Sequence, residues 1–223
     1  MRRFSSCVVP FLLLATSTFG QQPPSSALSP STTTRSAYGD RLKLIGLRNG
    51  GRINEHLYRG AQPRAEALPE LKKLGITTIV DLRGEDPNKR DWERHQAESL
   101  GIRFVNIPVS GWAPPSNEQV AQFLSLFRND PNERIFVHCR FGDDRTGVFV
   151  ATYRMAYNGW SAQQAMNEMY YFGFNGIWHP SMKTFIREFP GRLKTVPVLT
   201  SYRPVEETVT KCNNPSPTSG CSN

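Results

Sequence analysis

Cysteine is scarce in this chain, with four in 223 residues. Cys7 sits at the extreme N-terminus, and Cys212 and Cys221 lie in a Pro/Ser/Asn-rich tail. Cys139 is therefore the one cysteine of the central region, and a lone thiol there needs a reason other than a disulfide framework. Histidine is just as rare. His56, His95 and His179 have no metal-ligand spacing with any cysteine, so no metal is expected, and no other cofactor. There is no stripe of lysine and arginine with interleaved aromatics. The formal charge of +8 falls to +6 when Arg2 and Arg3 are removed with residues 1–20. That is a mild preference for anionic partners and excludes a nucleic-acid footprint. A long apolar run is missing too. The best one, "CVVPFLLLATSTF", is too short to span a bilayer.

That short run, preceded by Arg2 and Arg3, has the form of an export signal over residues 1–20, with cleavage near Gly20. It predicts a periplasmic or secreted protein with no membrane attachment once the signal is gone. Residues 21–45, rich in Pro, Ser and Thr, are expected to be a disordered linker, and 197–223 a flexible tail in which Cys212 and Cys221 could pair. A domain is expected over 46–196. The full chain's 38% hydrophobic and 21% charged content is ordinary for a soluble globular protein.

Within the domain, strand-like and helix-like patches alternate. Leu68, Leu71 and Leu74 share a helical face that ends at Gly75, and "ITTIVDLR" is a β-branched run. A polar helix ends at Gly101, and "IRFVNIPV" reads as a strand. Ser116 caps a helix with Val120, Phe123, Leu124 and Phe127 as its apolar stripe. "GVFVATYRMAYNG" is apolar almost all round and predicts a buried helix. Ser161 and Gln164 have capping-box spacing, and a last helix should run from about Ser181 to Phe189 and stop at Pro190. Strands separated by helices imply an α/β fold, a mostly parallel sheet flanked by helices.

The strand "RIFVH" delivers Cys139 to its carboxyl end, where ligands bind in open α/β sheets. "RFGDD" must then be a tight loop, with Gly142 free to take conformations closed to other residues, before a helix beginning near Thr146. Amides of residues 140–145, that is Arg140, Phe141, Gly142, Asp143, Asp144 and Arg145, can point inward, and the helix N-terminus adds partial positive charge. Arg145 contributes a planar fork that grips two oxygens of one phosphate. The same field stabilises a thiolate at Cys139.

"HCRFGDDRTG" resembles the Cys-x5-Arg-[Ser/Thr] signature of protein tyrosine and dual-specificity phosphatases. "LYRGAQPRAEALPELKKLGITTIVDLRGE" is similar to the N-terminal half of compact bacterial and plant/fungal-type dual-specificity phosphatases, and "GVFVATYRMAYNGWSAQQAMNEMYYFGF" to the helices after the loop. The likeness covers roughly residues 52–190. It implies hydrolysis of a phosphoprotein or a small phosphate ester through a cysteinyl-phosphate. Cys139 would be the nucleophile and Arg145 the clamp. Thr146 would donate to the sulfur, and His138 would orient the loop from behind.

The general acid has two readings. "NIPVSGWAPPSNE", where many relatives carry an aspartate, has none. Asp144 matches a "DRT" loop variant in which that aspartate has been proposed as the acid; otherwise Asp81 or Asp86 approaches in the fold. Asp143 and Asp144 also suit a helix N-cap. Arg83 reads as a structural ion pair or a crevice residue, Trp112 as pocket wall or core, and Tyr58 and Arg59 as buttresses. A rhodanese-type sulfurtransferase and a non-catalytic phosphate-binding module are the competing functions; the first gives Arg145 no task, and intact Cys139 argues against the second.

Overall fold

The computed structural model describes residues 38–128, 130 and 132–204. Its centre is a six-stranded sheet made of β1 (Asp40–Arg41), β2 (Gly51–Arg52), β3 (Leu57–Ala61), β4 (Thr78–Asp81), β5 (Arg103–Asn106) and β6 (Ile135–Cys139). The strand order is β1-β2-β3-β6-β4-β5. The first two pairings are antiparallel and the rest parallel. The expected mostly parallel sheet is therefore present, with β6 at its centre between β3 and β4.

Two helices, α1 (Ala67–Lys73) and α2 (Pro87–Ser99), precede β5; α3 (Asn117–Ser125), α4 (Asp144–Tyr157), α5 (Ala162–Tyr171), α6 (Pro180–Thr195) and α7 (Pro197–Thr200) make up the rest. The core divides in two. Leu68 and Leu71 of α1 and Ala97 of α2 pack with Ile79 and Phe136 in one cluster. Helices α3 to α7 pack with Val80, Ile135 and Val137 in the other. Adjacent residues of β6 enter opposite clusters, as the two-residue period of a strand requires. Ser116 and Ser161 form the expected capping boxes with Gln119 and Gln164. Helix α4 is buried from Arg145 to Ala156. Its one basic residue beyond the loop, Arg154, pairs with Glu168 at 2.7 Å and lies over the Trp160 ring at 4.1 Å.

Three expectations need correction. Strand β1 begins at Asp40, inside the stretch read as linker to residue 45, because Asp40 and Arg41 pair with Arg52 and Gly51. Helix α6 passes through Pro190 and ends at Thr195. The missing N–H costs one helical bond, but Phe189 just before it and Leu193 beyond it are both buried, and packing carries the helix on. The tail reading also starts too early: Leu199 of α7 is fully buried and the Tyr202 hydroxyl donates to the Ala121 carbonyl. The export signal, most of the linker, Cys7, Cys212 and Cys221 lie outside the described residues. Among those described, no helix is long and apolar enough to cross a membrane.

Candidate active site

Cys139 ends β6 and is buried, and the Gly142 amide donates to its Sγ at 3.3 Å. The loop can turn that amide inward because Gly142 has φ +76°, a left-handed conformation. It also lies against β3: a Cβ at Gly142 would fall 2.3 Å from the Gly60 carbonyl carbon and 2.4 Å from the Ala61 nitrogen. The outward Gly142 carbonyl accepts from Arg59 Nη2 and from Asn49 Nδ2 at 2.9 Å. Arg59 is fully buried and stacked 4.1 Å over Phe172. Burial lowers its pKa to about 10, against the pull of Glu168 and Cys139, so it stays charged at neutral pH. Arg59 is thus the expected buttress, holding the loop from the back, while Tyr58 packs in the core.

Arg145, one residue into α4, is largely buried and lines the same cavity of about 410 Å³ as Cys139. Its Nη1 and Nη2 each donate to Glu85 at 3.0 Å, and Nη1 also donates to the Val109 carbonyl at 3.2 Å. A guanidinium has five N–H donors. Three are engaged, which leaves Nε–H and the outer Nη2–H, adjacent on one edge, as a fork for two phosphoryl oxygens. Burial works against the charge on Arg145, but the contacts with Glu85 and Cys139 outweigh it and raise its pKa. The same contact with Arg145 holds the Glu85 carboxyl far below the usual range. Glu85 is therefore a positioning residue, itself held by Arg83 Nε at 3.0 Å. Arg83 is the structural ion pair of the first reading, engaged by Glu85, Asp86 and Gln62.

The aspartates separate by position. Asp143 caps α4, accepting from the Asp144 amide at 2.8 Å. Asp144 lines the cavity with Cys139 and Arg145, 3.1 Å from His179 Nε2, and accepts from the Asn175 amide at 3.1 Å. Burial pushes its carboxyl above the ordinary value; the Asn175 amide and His179 pull back, and Asp143 adds to the rise. Asp81 is fully buried, accepts from the Arg83 amide and does not line this cavity. Asp86 caps α2 and faces a neighbouring cavity. Of the three aspartates considered as acid, Asp144 alone reaches the chamber.

His138 points away from that chamber. Its Nε2 is 2.8 Å from Glu93 Oε1, an ion-pair distance without the angle of a straight hydrogen bond, and its Nδ1 is 3.9 Å from Asp81. Burial disfavours its charge, but Glu93, Asp81 and Cys139 outweigh burial and hold its pKa at about 9. The Thr146 hydroxyl is buried and makes no hydrogen bond among the described residues, so its donation to sulfur is not formed here. Trp112 walls the cavity, exposed and 5.4 Å from the His179 ring. Sequence reasoning missed Glu85, Glu93, Asn49 and His179. Glu85 had a signal: it follows the carboxyl end of β4, the neighbour of β6 in the sheet. His179 had none.

A family profile described as "PTP-NADK: DSP-PTPase phosphatase fused to NAD+ Kinase" matches residues 48–184. The chain belongs to this DSP-PTPase family. Among curated relatives, the "Dual specificity protein phosphatase TpbA" of Pseudomonas aeruginosa strain PAO1 is 28% identical over 123 residues, 55% of this chain and 54% of that one. The "Probable NAD kinase 2, chloroplastic" of Oryza sativa subsp. japonica is 37% identical over 100 residues, 44% of this chain and 10% of that one. The chain thus spans about half the length of TpbA. The crystal structure of P. aeruginosa TpbA in complex with pTyr superposes with a TM-score of 0.60 at 22% identity, covering 76% of this chain and 98% of that one. The catalytic core of the PP-IP phosphatase SIW14 from S. cerevisiae gives 0.58 at 22% identity, covering 73% and 98%. The fold of the DSP-PTPase phosphatases is therefore the fold of this chain.

Proposed function

We propose that this chain is a cysteine-dependent phosphatase, hydrolysing phosphotyrosine, phosphoserine/threonine or small phosphate monoesters. The observation that carries this reading is one chamber shared by Cys139, the free edge of Arg145 and the half-buried Asp144, with the Gly142 amide aimed at the sulfur. TpbA, bound to pTyr, and SIW14, a PP-IP phosphatase, have this fold.

The sulfur of Cys139 attacks phosphorus, and the P–O bond to the leaving group breaks as S–P forms. Protonated Asp144 passes its proton to the departing oxygen; the raised carboxyl pKa suits that task. Arg145 holds the equatorial oxygens through both steps, fixed by Glu85 and Val109. Water then attacks phosphorus, gives a proton to Asp144 and displaces the thiolate. Export through residues 1–20 completes the reading, and is checked by whether mature protein recovered outside the cytoplasm begins near residue 21.

The test is hydrolysis of p-nitrophenyl phosphate by wild type and Cys139→Ser. Turnover in the first and none in the second is expected. Thiosulfate-dependent cyanide conversion in its place would make the chain a sulfurtransferase, and phosphate binding without turnover would make it a binding module.

A further inference from the structure

The catalytic chamber holds one imidazole, His179, to which the proposed mechanism gives no task. Its backbone is fixed on both sides. The His179 amide donates to the Asn175 carbonyl at 3.1 Å, and the His179 carbonyl accepts from the Lys183 amide at 3.2 Å. The ring is buried, with centroids 5.4 Å from Trp112 and 6.5 Å from Phe174. Its two nitrogens differ. Nε2 lies 3.1 Å from Asp144 Oδ2. Nδ1 is buried and has no hydrogen-bond partner among the described residues.

The two oxygens of Asp144 differ as well. Oδ1 accepts from the Asn175 amide at 3.1 Å. An amide N–H only donates, so Oδ1 must offer a lone pair whether the carboxyl is protonated or not. A protonated carboxyl has one hydroxyl oxygen, and here that oxygen is Oδ2, the one facing the imidazole. The Nε2 lone pair can accept that proton, and on taking it the ring becomes the donor to the same oxygen. An unpartnered N–H at Nδ1 costs most when the ring is fully charged, so the proton is not surrendered wholly to the imidazole.

We propose that His179 is a positioning residue for the acid: Asp144 Oδ2 and His179 Nε2 hold the transferable proton between them. The inference rests on the phosphatase reading for its use and deepens it by completing the acid. The proton leaves the pair for the departing oxygen as the P–O bond breaks, and the attacking water returns one in the second step. Other charged or titratable groups face the pair from each neighbouring element. They are Asp143 and Arg140 in the loop, Arg145 in α4, Glu85 beyond β4, Cys139 at the end of β6, and Lys183 one turn along α6. A substitution at position 179 leaves all of them in place.

The experiment follows kcat/KM against pH for p-nitrophenyl phosphate and for glycerol 2-phosphate, whose poor leaving group needs an acid. Wild type, His179→Phe and His179→Gln are compared. Phenylalanine keeps a ring beside Trp112 and Phe174 but binds no proton. The aryl-to-alkyl rate ratio is expected to rise at least about tenfold in His179→Phe. A pair keeps its last proton to a higher pH than a carboxyl alone, because an imidazole is the stronger base. The fall of the alkyl rate with rising pH should therefore move to lower pH in this variant. Glutamine can touch Oδ2 without binding a proton, so His179→Gln should recover alkyl turnover at low pH and keep the lowered limb. In an Asp144→Asn background, His179→Phe should leave the ratio where it is. Equal loss on both substrates, or an alkyl rate that still falls at the wild-type pH in both variants, makes His179 a packing residue and overturns the pairing. If wild type hydrolyses no ester, the phosphatase reading fails separately. NMR of the Asp144 carboxyl carbon and His179 Nε2 in Cys139→Ser then decides: one titration common to both supports the shared proton, and two separate titrations overturn it.

Discussion

Replacing Gly142 by alanine tests whether the loop is held in its catalytic shape by backbone contact. The added Cβ would lie 2.3 Å, 2.4 Å and 2.5 Å from the Gly60 carbonyl carbon, the Ala61 nitrogen and the Gly60 oxygen. All three are backbone atoms of β3, which is paired on both sides by β2 and β6 and cannot withdraw. The φ of +76° adds a cost of its own, about 1–2 kcal/mol for a residue with a Cβ. Overpacking against fixed atoms adds roughly 1–3 kcal/mol. The loop therefore lifts, and three contacts go with it: the Gly142 amide to Cys139 Sγ, and the carbonyl to Arg59 and Asn49. A loss of about 2–5 kcal/mol in urea unfolding is expected, or roughly 5–15 °C in melting temperature. Turnover should fall at least about a hundredfold even in folded protein, because a misplaced donor alone costs that much. Gly191→Ala in α6, where a Cβ meets nothing within 4 Å, is the control. A Gly142→Ala protein with wild-type stability and wild-type kcat/KM would refute the claim that β3 shapes the loop.

Three further substitutions probe the site. Arg145→Lys should abolish most aryl phosphate turnover, since an ammonium cannot hold Glu85 at two points and still present a fork to phosphate; near-normal rates would remove Arg145 as the clamp. Asp144→Asn should slow alkyl phosphates far more than p-nitrophenyl phosphate, by about 10²–10⁴-fold for the poor leaving group, and equal slowing of both would place the acid elsewhere. In wild type the alkyl rate should also fall as rising pH strips the proton from Asp144, at a pH above the ordinary value for an aspartate. Glu93→Gln removes the anion that keeps His138 charged. The folded pKa of His138, about 9, lies above the ordinary 6.5, so its contribution to stability is complete below pH 6.5 and lost as pH rises through 9. Urea unfolding of wild type should weaken across that window and the variant should not; parallel curves would refute the pairing.

The alternation of β-branched runs and capped amphipathic segments determined the α/β fold by itself, because strand and helix periods leave local marks that need no partner to be seen. The same holds for the proposed catalytic pair. Cys139 and Arg145 belong to one loop between β6 and α4, so their spacing along the chain encodes their spacing in space. The path of α6 past Pro190 and the docking of Leu199 were set by burial, which overrides a local breaker when an apolar face lies beyond it. Tertiary structure alone decided the rest of the site. Glu85 reaches Arg145 across 60 residues because β4 and β6 are neighbours in the sheet. His179 meets Asp144 because α6 returns to the mouth of the chamber. It also set Asp144 apart from Asp81 and Asp86, since of the three it alone lines the chamber, and facing a cavity is a property of packing that no linear pattern records.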